Sequence, residues 1–163
     1  MSNLTESQAE ARLNGQFRSL RIAKPFLQGQ KIDSLFSVPG KTLWLIMTLQ
    51  GVLSDNPFIE YFTRSVSAYL VETTNALLRI GANKCAVEFS MAVEIFSPDL
   101  KLESDAGFTE IGNSREVRAG ELSEAESELL DACYERYFEC VDSEQLMTKL
   151  EQYLQDSTLE NNA

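Results

Sequence analysis

The chain has 163 residues, 44% of them hydrophobic and 24% charged, with a net charge of −11 and no histidine. That length and composition suit one globular domain that buries its core without a metal or a disulfide, and the negative charge argues against nucleic acid as a direct ligand, because binding a polyanion needs Lys and Arg to neutralise phosphates. The missing histidine removes the commonest general base and metal ligand, and no Walker loop, G-x-S-x-G elbow, H-E-x-x-H pair or EF-hand spacing replaces it, so no catalytic residue, metal or cofactor is expected.

Charge is divided unevenly. Residues 1–84 carry 9 Lys/Arg against 6 Asp/Glu and residues 85–163 carry 5 against 19, so the halves sit near +3 and −14. Cys85, Cys133 and Cys140 form no C-x-x-C pair and fall on apolar helical positions, as reduced thiols in a core do. Met1 to Gly15 lacks a basic region leading into an apolar one, and the run Leu43 to Leu53 is broken by Thr48, Gln50 and Gly51 and falls well short of the ~20 residues that span a bilayer. A soluble, cytoplasmic protein without a membrane partner is expected.

Thr5 with Gln8, or Ser7 with Glu10, is placed to cap a first short helix, and Phe17, Leu20, Ile22 and Phe26 suggest apolar packing up to or around Pro25. Gln28 to Gly40 reads as a connection with a weak apolar cluster at Ile32, Leu35 and Phe36. Lys41 to Leu53 is apolar nearly all round, which fits a central buried helix. In Ser54-Asp55-Asn56-Pro57, Asn56 is the expected N-cap and Pro57 the first residue of a helix with an aromatic face, Phe58, Tyr61 and Phe62. Ser67 to Ile80 and Asn83 to Phe96 predict a helical hairpin around Gly81, with Cys85, Ala86, Phe89, Ala92, Val93 and Phe96 on the buried face of its second arm. Ser97 to Gly120 is a long connection containing Pro98, Gly107, Gly112 and Gly120.

Ser123 and Glu126 form a capping-box signature for the next helix, and Asp142 or Ser143 is placed to cap the last, whose core residues are Leu146, Met147, Leu150, Tyr153 and Leu154. Between them Glu124, Glu128, Asp131, Glu135 and Glu139 recur at steps of three and four, which lines five carboxylates along one stripe of a helix. Leu129, Leu130, Cys133, Tyr137, Cys140 and Val141 lie opposite and are expected to fix the helix on the core. The four neighbouring like-charge pairs each cost about 0.2–0.5 kcal/mol, roughly 1–2 kcal/mol together, with Arg136 in reach of Glu139 only. The stripe delivers one charge per ~5–6 Å, against ~3.4 Å along a DNA strand. Tyr134 and Phe138 flank it as aromatic anchors.

The fold class is therefore all-α: a single-domain multi-helix bundle with an acidic amphipathic helix near its C-terminus. Residues 1–40 form an N-terminal helical segment packed on a core at 41–156, and residues 157–163 are expected to fray. Two readings of the acidic face stay open. It is a solvated surface on a structural or adaptor domain, or it meets a basic protein partner through Glu124, Glu128, Asp131, Tyr134, Glu135 and Glu139.

The text Leu53-Ser54-Asp55-Asn56-Pro57-Phe58-Ile59-Glu60-Tyr61-Phe62, the hairpin Asn75-Ala76-Leu77-Leu78-Arg79-Ile80-Gly81-Ala82 and an acidic helix ending in Tyr134 to Phe138 carry a further signal. With them, Leu43 to Leu154 resembles the DNA-mimic-protein domain family, an all-helical bacterial family whose usual Asn-Gly-Gly-Phe turn stands here as Asp55-Asn56-Pro57-Phe58. The resemblance implies a dimeric, helical protein whose characterised relative uses surface carboxylates to occupy the DNA-binding face of a transcription factor. The expected partner is accordingly a basic DNA-binding protein, or a basic nuclease toxin neutralised by an immunity protein, and a homodimer is left open.

Overall fold

The computed structural model describes residues 5–19, 36–64, 69–96 and 117–161. Among them every regular element is helical: α1 Glu6–Ser19, α2 Val38–Leu53, α3 Phe58–Thr63, α4 Leu70–Arg79, α5 Asn83–Phe96, α6 Glu124–Glu144 and α7 Leu146–Asn161, with one further helical turn at 117–121. One hydrophobic cluster draws residues from all seven, so the all-α single domain expected from periodicity is the fold observed. The expectations for Leu20, Ile22, Phe26, Ile32, Leu35 and residues 97–116 lie outside the described residues.

α2 is the central helix because its sequence offers no polar side to solvent: Leu45, Ile46, Leu49 and Leu53 are fully buried, with Leu43, Trp44 and Met47 nearly so. Burial of each such side chain is worth about 1.5–3 kcal/mol, which outweighs the β-branched and glycine residues in the helix. It begins earlier than expected, at Val38 rather than Lys41. The Ser37 hydroxyl accepts from the Gly40 amide at 3.3 Å, and Pro39 sits in the first turn, where its missing N–H costs nothing.

Asn56 departs from its expected role. Its side-chain amide donates to the Val52 carbonyl at 3.0 Å, closing the end of α2, and Pro57 takes the N-cap position of α3. A free carbonyl of the last turn was the stronger competitor for the Asn56 side chain. α3 then inserts Phe58, Tyr61 and Phe62 into an aromatic cluster with Phe89 and Phe96 of α5 and Tyr134 and Tyr137 of α6, Phe62 and Phe96 lying 4.9 Å apart between ring centroids.

α4 and α5 form the predicted hairpin. Gly81 takes φ +79°, and the Ala82 amide donates to Leu77 O at 2.9 Å, a closure that a residue with a Cβ would adopt only under strain. α5 and α6 run antiparallel in close contact. α6 and α7 are parted by a single left-handed residue, Gln145 at φ 52°.

Two helix starts are capped from far along the chain. The Glu144 carboxylate, at the end of α6, accepts from the amides of Lys84 at 3.2 Å and Cys85 at 3.0 Å, satisfying the first turn of α5. The Glu6 carboxylate of α1 accepts from the amides of Met147 at 2.9 Å and Thr148 at 3.2 Å and from the Thr148 hydroxyl, so it caps α7 where Asp142 or Ser143 was expected; both of those residues lie within α6. α1 is held further by buried Ala9 and Leu13 and by Arg12 against the buried Glu151 at 3.4 Å.

Candidate functional site

α6 is a helix of 21 residues, close to 31 Å long at ~1.5 Å per residue. Its start is the predicted capping box: the Ser123 hydroxyl accepts from the Glu126 amide at 3.1 Å, and the Glu126 carboxylate accepts from the Ser123 amide at 2.8 Å. The Arg118 guanidinium, in the 117–121 turn, donates to Glu126 at 2.9 Å and to the carbonyls of Ile95 and Phe96 at the end of α5. The Ser123 amide first, and Arg118 next, hold the Glu126 carboxyl below the usual range.

One face of α6 is buried through Leu130, Cys133, Tyr137 and Val141. The Tyr137 hydroxyl donates to Gln50 Oε1 at 2.6 Å, and burial pushes its pKa well up. All three cysteines are free thiols; Cys85 and Cys133 are buried, Cys140 is half-buried, and burial raises each of them, so they stay protonated packing groups near neutrality.

Glu124, Glu128, Asp131, Glu135 and Glu139 are all exposed along the opposite face. None of the five carboxylates has a hydrogen bond or ion pair with any other described residue. Asp142, also exposed, falls on the same stripe at one further step of three. Four other carboxylates of this half are used differently. Glu88 and Arg136 pair at 3.0 Å, Glu126 and Glu144 cap helices, and Glu151 is 4% exposed with one oxygen held by Arg12 and Gln155. The free acids on α6 therefore form one coherent face.

Arg136 corrects the sequence reading. It is bound by Glu88 and touches Cys133 Sγ at 3.2 Å, so it points to α5 and leaves the Glu135/Glu139 repulsion unsoftened. The last turn of α6 contains no basic residue either, so Glu139 and Asp142 stand near the negative end of the helix dipole. Helix stability gives no reason for acids there. Tyr134, expected as an anchor at the border, is half-buried: its hydroxyl donates to Leu53 O at 2.7 Å and its ring meets Phe58 and Phe138 edge-on. Leu129, expected in the core stripe, is 53% exposed.

No group of His, Cys, Asp or Glu among the described residues is disposed to hold a metal ion. A groove of about 330 Å³ between α1, the start of α2 and the end of α7, lined by Gln16, Ser37, Pro39, Gln155 and Thr158, brings together no titratable side chains among the described residues. Among the described residues, no helix is long and apolar enough to cross a membrane.

A family model described as DMP19-like protein matches residues 34–157. No curated protein and no solved structure matches the chain.

Proposed function

The chain belongs to the DMP19-like protein family, and from that premise we propose that it is a non-catalytic DNA mimic, a regulator or inhibitor that occupies the basic nucleic-acid-binding surface of a protein partner. Glu124, Glu128, Asp131, Glu135 and Glu139 supply the charge, with Tyr134 at their edge. One observation carries the proposal. In a half of the chain where Glu88, Glu126, Glu144 and Glu151 cap helices or pair with arginine, these five stand together, exposed and without a cation among the described residues.

Six charges from Glu124 to Asp142 extend over ~27 Å at ~1.5 Å per residue, about the length of eight nucleotides of one strand at ~3.4 Å each. A single helix is thus a diluted copy of a strand, and a basic groove shaped for a phosphate backbone is its natural complement. The repulsion stored in the stripe is relieved when lysine or arginine side chains meet it, and the encounter is steered by charge and weakened by salt.

The test is capture of partners from a native lysate on the immobilised protein at low salt, followed by a DNA-binding assay on each captured protein. Expected is a basic DNA-binding protein, released by a salt gradient, whose complex with DNA is displaced by the wild-type chain and not by the Glu128→Lys/Asp131→Lys/Glu135→Lys variant. Equal displacement by that variant removes the stripe from the interaction, and capture of no basic protein leaves the acids as a solvated face.

A further inference from the structure

The acidic stripe is bordered on one side by apolar surface. Leu129 is 53% exposed and Met91 42% exposed, while Ile95 and Ala132 are half-buried. The register of the antiparallel pair brings these residues together. Glu144 caps Lys84 and Cys85 at one end, Arg136 pairs with Glu88 at 3.0 Å in the middle, and Arg118 ties Glu126 to Ile95 and Phe96 at the other end. Two helical turns from Arg136 toward the start of α6 lead to Leu129, and two from Glu88 toward the end of α5 lead to Ile95, so these stand level, with Met91 and Ala132 between them and the ion pair. Around α6 the next positions outward are Glu128, Glu135 and Glu139, and Glu94 stands on the outer side of α5.

We propose that this α5/α6 seam is a docking groove for a basic protein segment that also carries an apolar side chain: Met91, Ile95, Leu129 and Ala132 receive the apolar group, and Glu128, Glu135 and Glu139 receive the flanking lysines or arginines. The assignment rests on the DNA-mimic function proposed above and adds to it a specificity that charge alone does not give. Phosphate mimicry selects any basic groove, whereas an apolar contact beside the charges selects those basic segments that place an apolar side chain in register. A second copy of this chain is disfavoured as occupant by charge. A two-fold contact through the seam sets Glu128, Glu135 and Glu139 of one copy against the same residues of the other, and the seam's Arg136 is already paired with Glu88.

Two short synthetic helical peptides of equal positive charge decide the matter, one interleaving lysine with leucine along one face, the other with alanine in place of leucine. By titration calorimetry at low salt the wild-type chain is expected to bind the leucine peptide about tenfold more tightly, the effect of a small apolar contact at an exposed site. In the Met91→Ser/Leu129→Ser variant, whose changed side chains are exposed and leave the core intact, the preference disappears while the alanine peptide binds as before. Equal binding of both peptides by the wild type overturns the groove and leaves the charge interaction standing. Binding of neither peptide overturns both. A wild-type dimer in sedimentation that becomes monomeric in the serine variant assigns the seam to a second copy, which also overturns the proposal.

Discussion

Glu139 and Glu144 belong to one helix and share one side-chain chemistry, yet they do opposite things. Glu144 is 9% exposed and bound by two backbone amides and by Lys149 at 3.6 Å; Glu139 stands in solvent without a partner among the described residues. The same division runs through the acidic half of the chain, with Glu88, Glu126, Glu144 and Glu151 turned to the protein and Glu124, Glu128, Asp131, Glu135 and Glu139 turned away. An acidic count by itself hides two populations. The inward acids substitute for missing helix partners and hold the bundle together, and only the outward acids are available to anything else.

The division breaks most visibly at Glu144. In Glu144→Ala the amides of Lys84 and Cys85 lose a charged acceptor, and the protein is expected to lose about 2–3 kcal/mol in urea unfolding at pH 7, with two hydrogen bonds to one charged group gone. A loss within 0.5 kcal/mol would place Glu144 with the outward acids. Its titration gives an independent check. Burial works to raise this carboxyl, but the amides of Cys85 and Lys84 and the charge of Lys149 together hold it below the usual value. A depressed folded pKa contributes stability that is fully present above the unfolded value of about 4.3 and fades as pH falls through the folded one. The stability gap between the wild type and Glu144→Gln should accordingly be flat from neutral pH to about pH 5 and narrow below about pH 4.3.

The outward acids make the opposite prediction. Replacing all five by their amides removes the four like-charge pairs among them, so the folded state should gain about 1–2 kcal/mol at low ionic strength, and less at ~0.15 M salt, where the screening length is ~8 Å. Thermal unfolding at two salt concentrations measures both parts. A destabilised variant would mean that the stripe holds internal contacts.

Much of this was legible in the sequence where the determining partner is close along the chain. The Thr5/Gln8 and Ser123/Glu126 boxes, the Gly81 turn and the buried face of α5 are local patterns, and each is found, with Thr5 rather than Ser7 capping α1. What failed needed a neighbour's position. Glu6 caps a helix 141 residues away and Glu144 one about 60 away, distances at which no spacing rule operates. The helical wheel does place Glu126 and Glu144 on the buried side of α6, a signal that could have separated them from the stripe. Leu129 sits at the margin of the apolar face, and whether a marginal residue is covered depends on the axis of the adjoining helix, which periodicity does not specify. Arg136 turned to Glu88 for the same reason: a carboxylate on the adjacent helix competed with one on its own.

Tyr134 gives the smallest effect and the sharpest question, because it lies where the two populations meet. Its hydroxyl is committed to Leu53 O at 2.7 Å and its ring packs on Phe58, so part of what looked like an anchor for a partner already serves the fold. Tyr134→Phe should cost about 0.5–1.5 kcal/mol, the worth of one neutral hydrogen bond whose carbonyl is left behind. The ring stays, so affinity for a basic partner should be unchanged if only the aromatic edge takes part in binding. If Tyr134→Phe instead leaves stability unchanged and weakens binding, the hydroxyl must leave Leu53 in the complex, and the border between structural and functional residues on α6 moves one position toward the core.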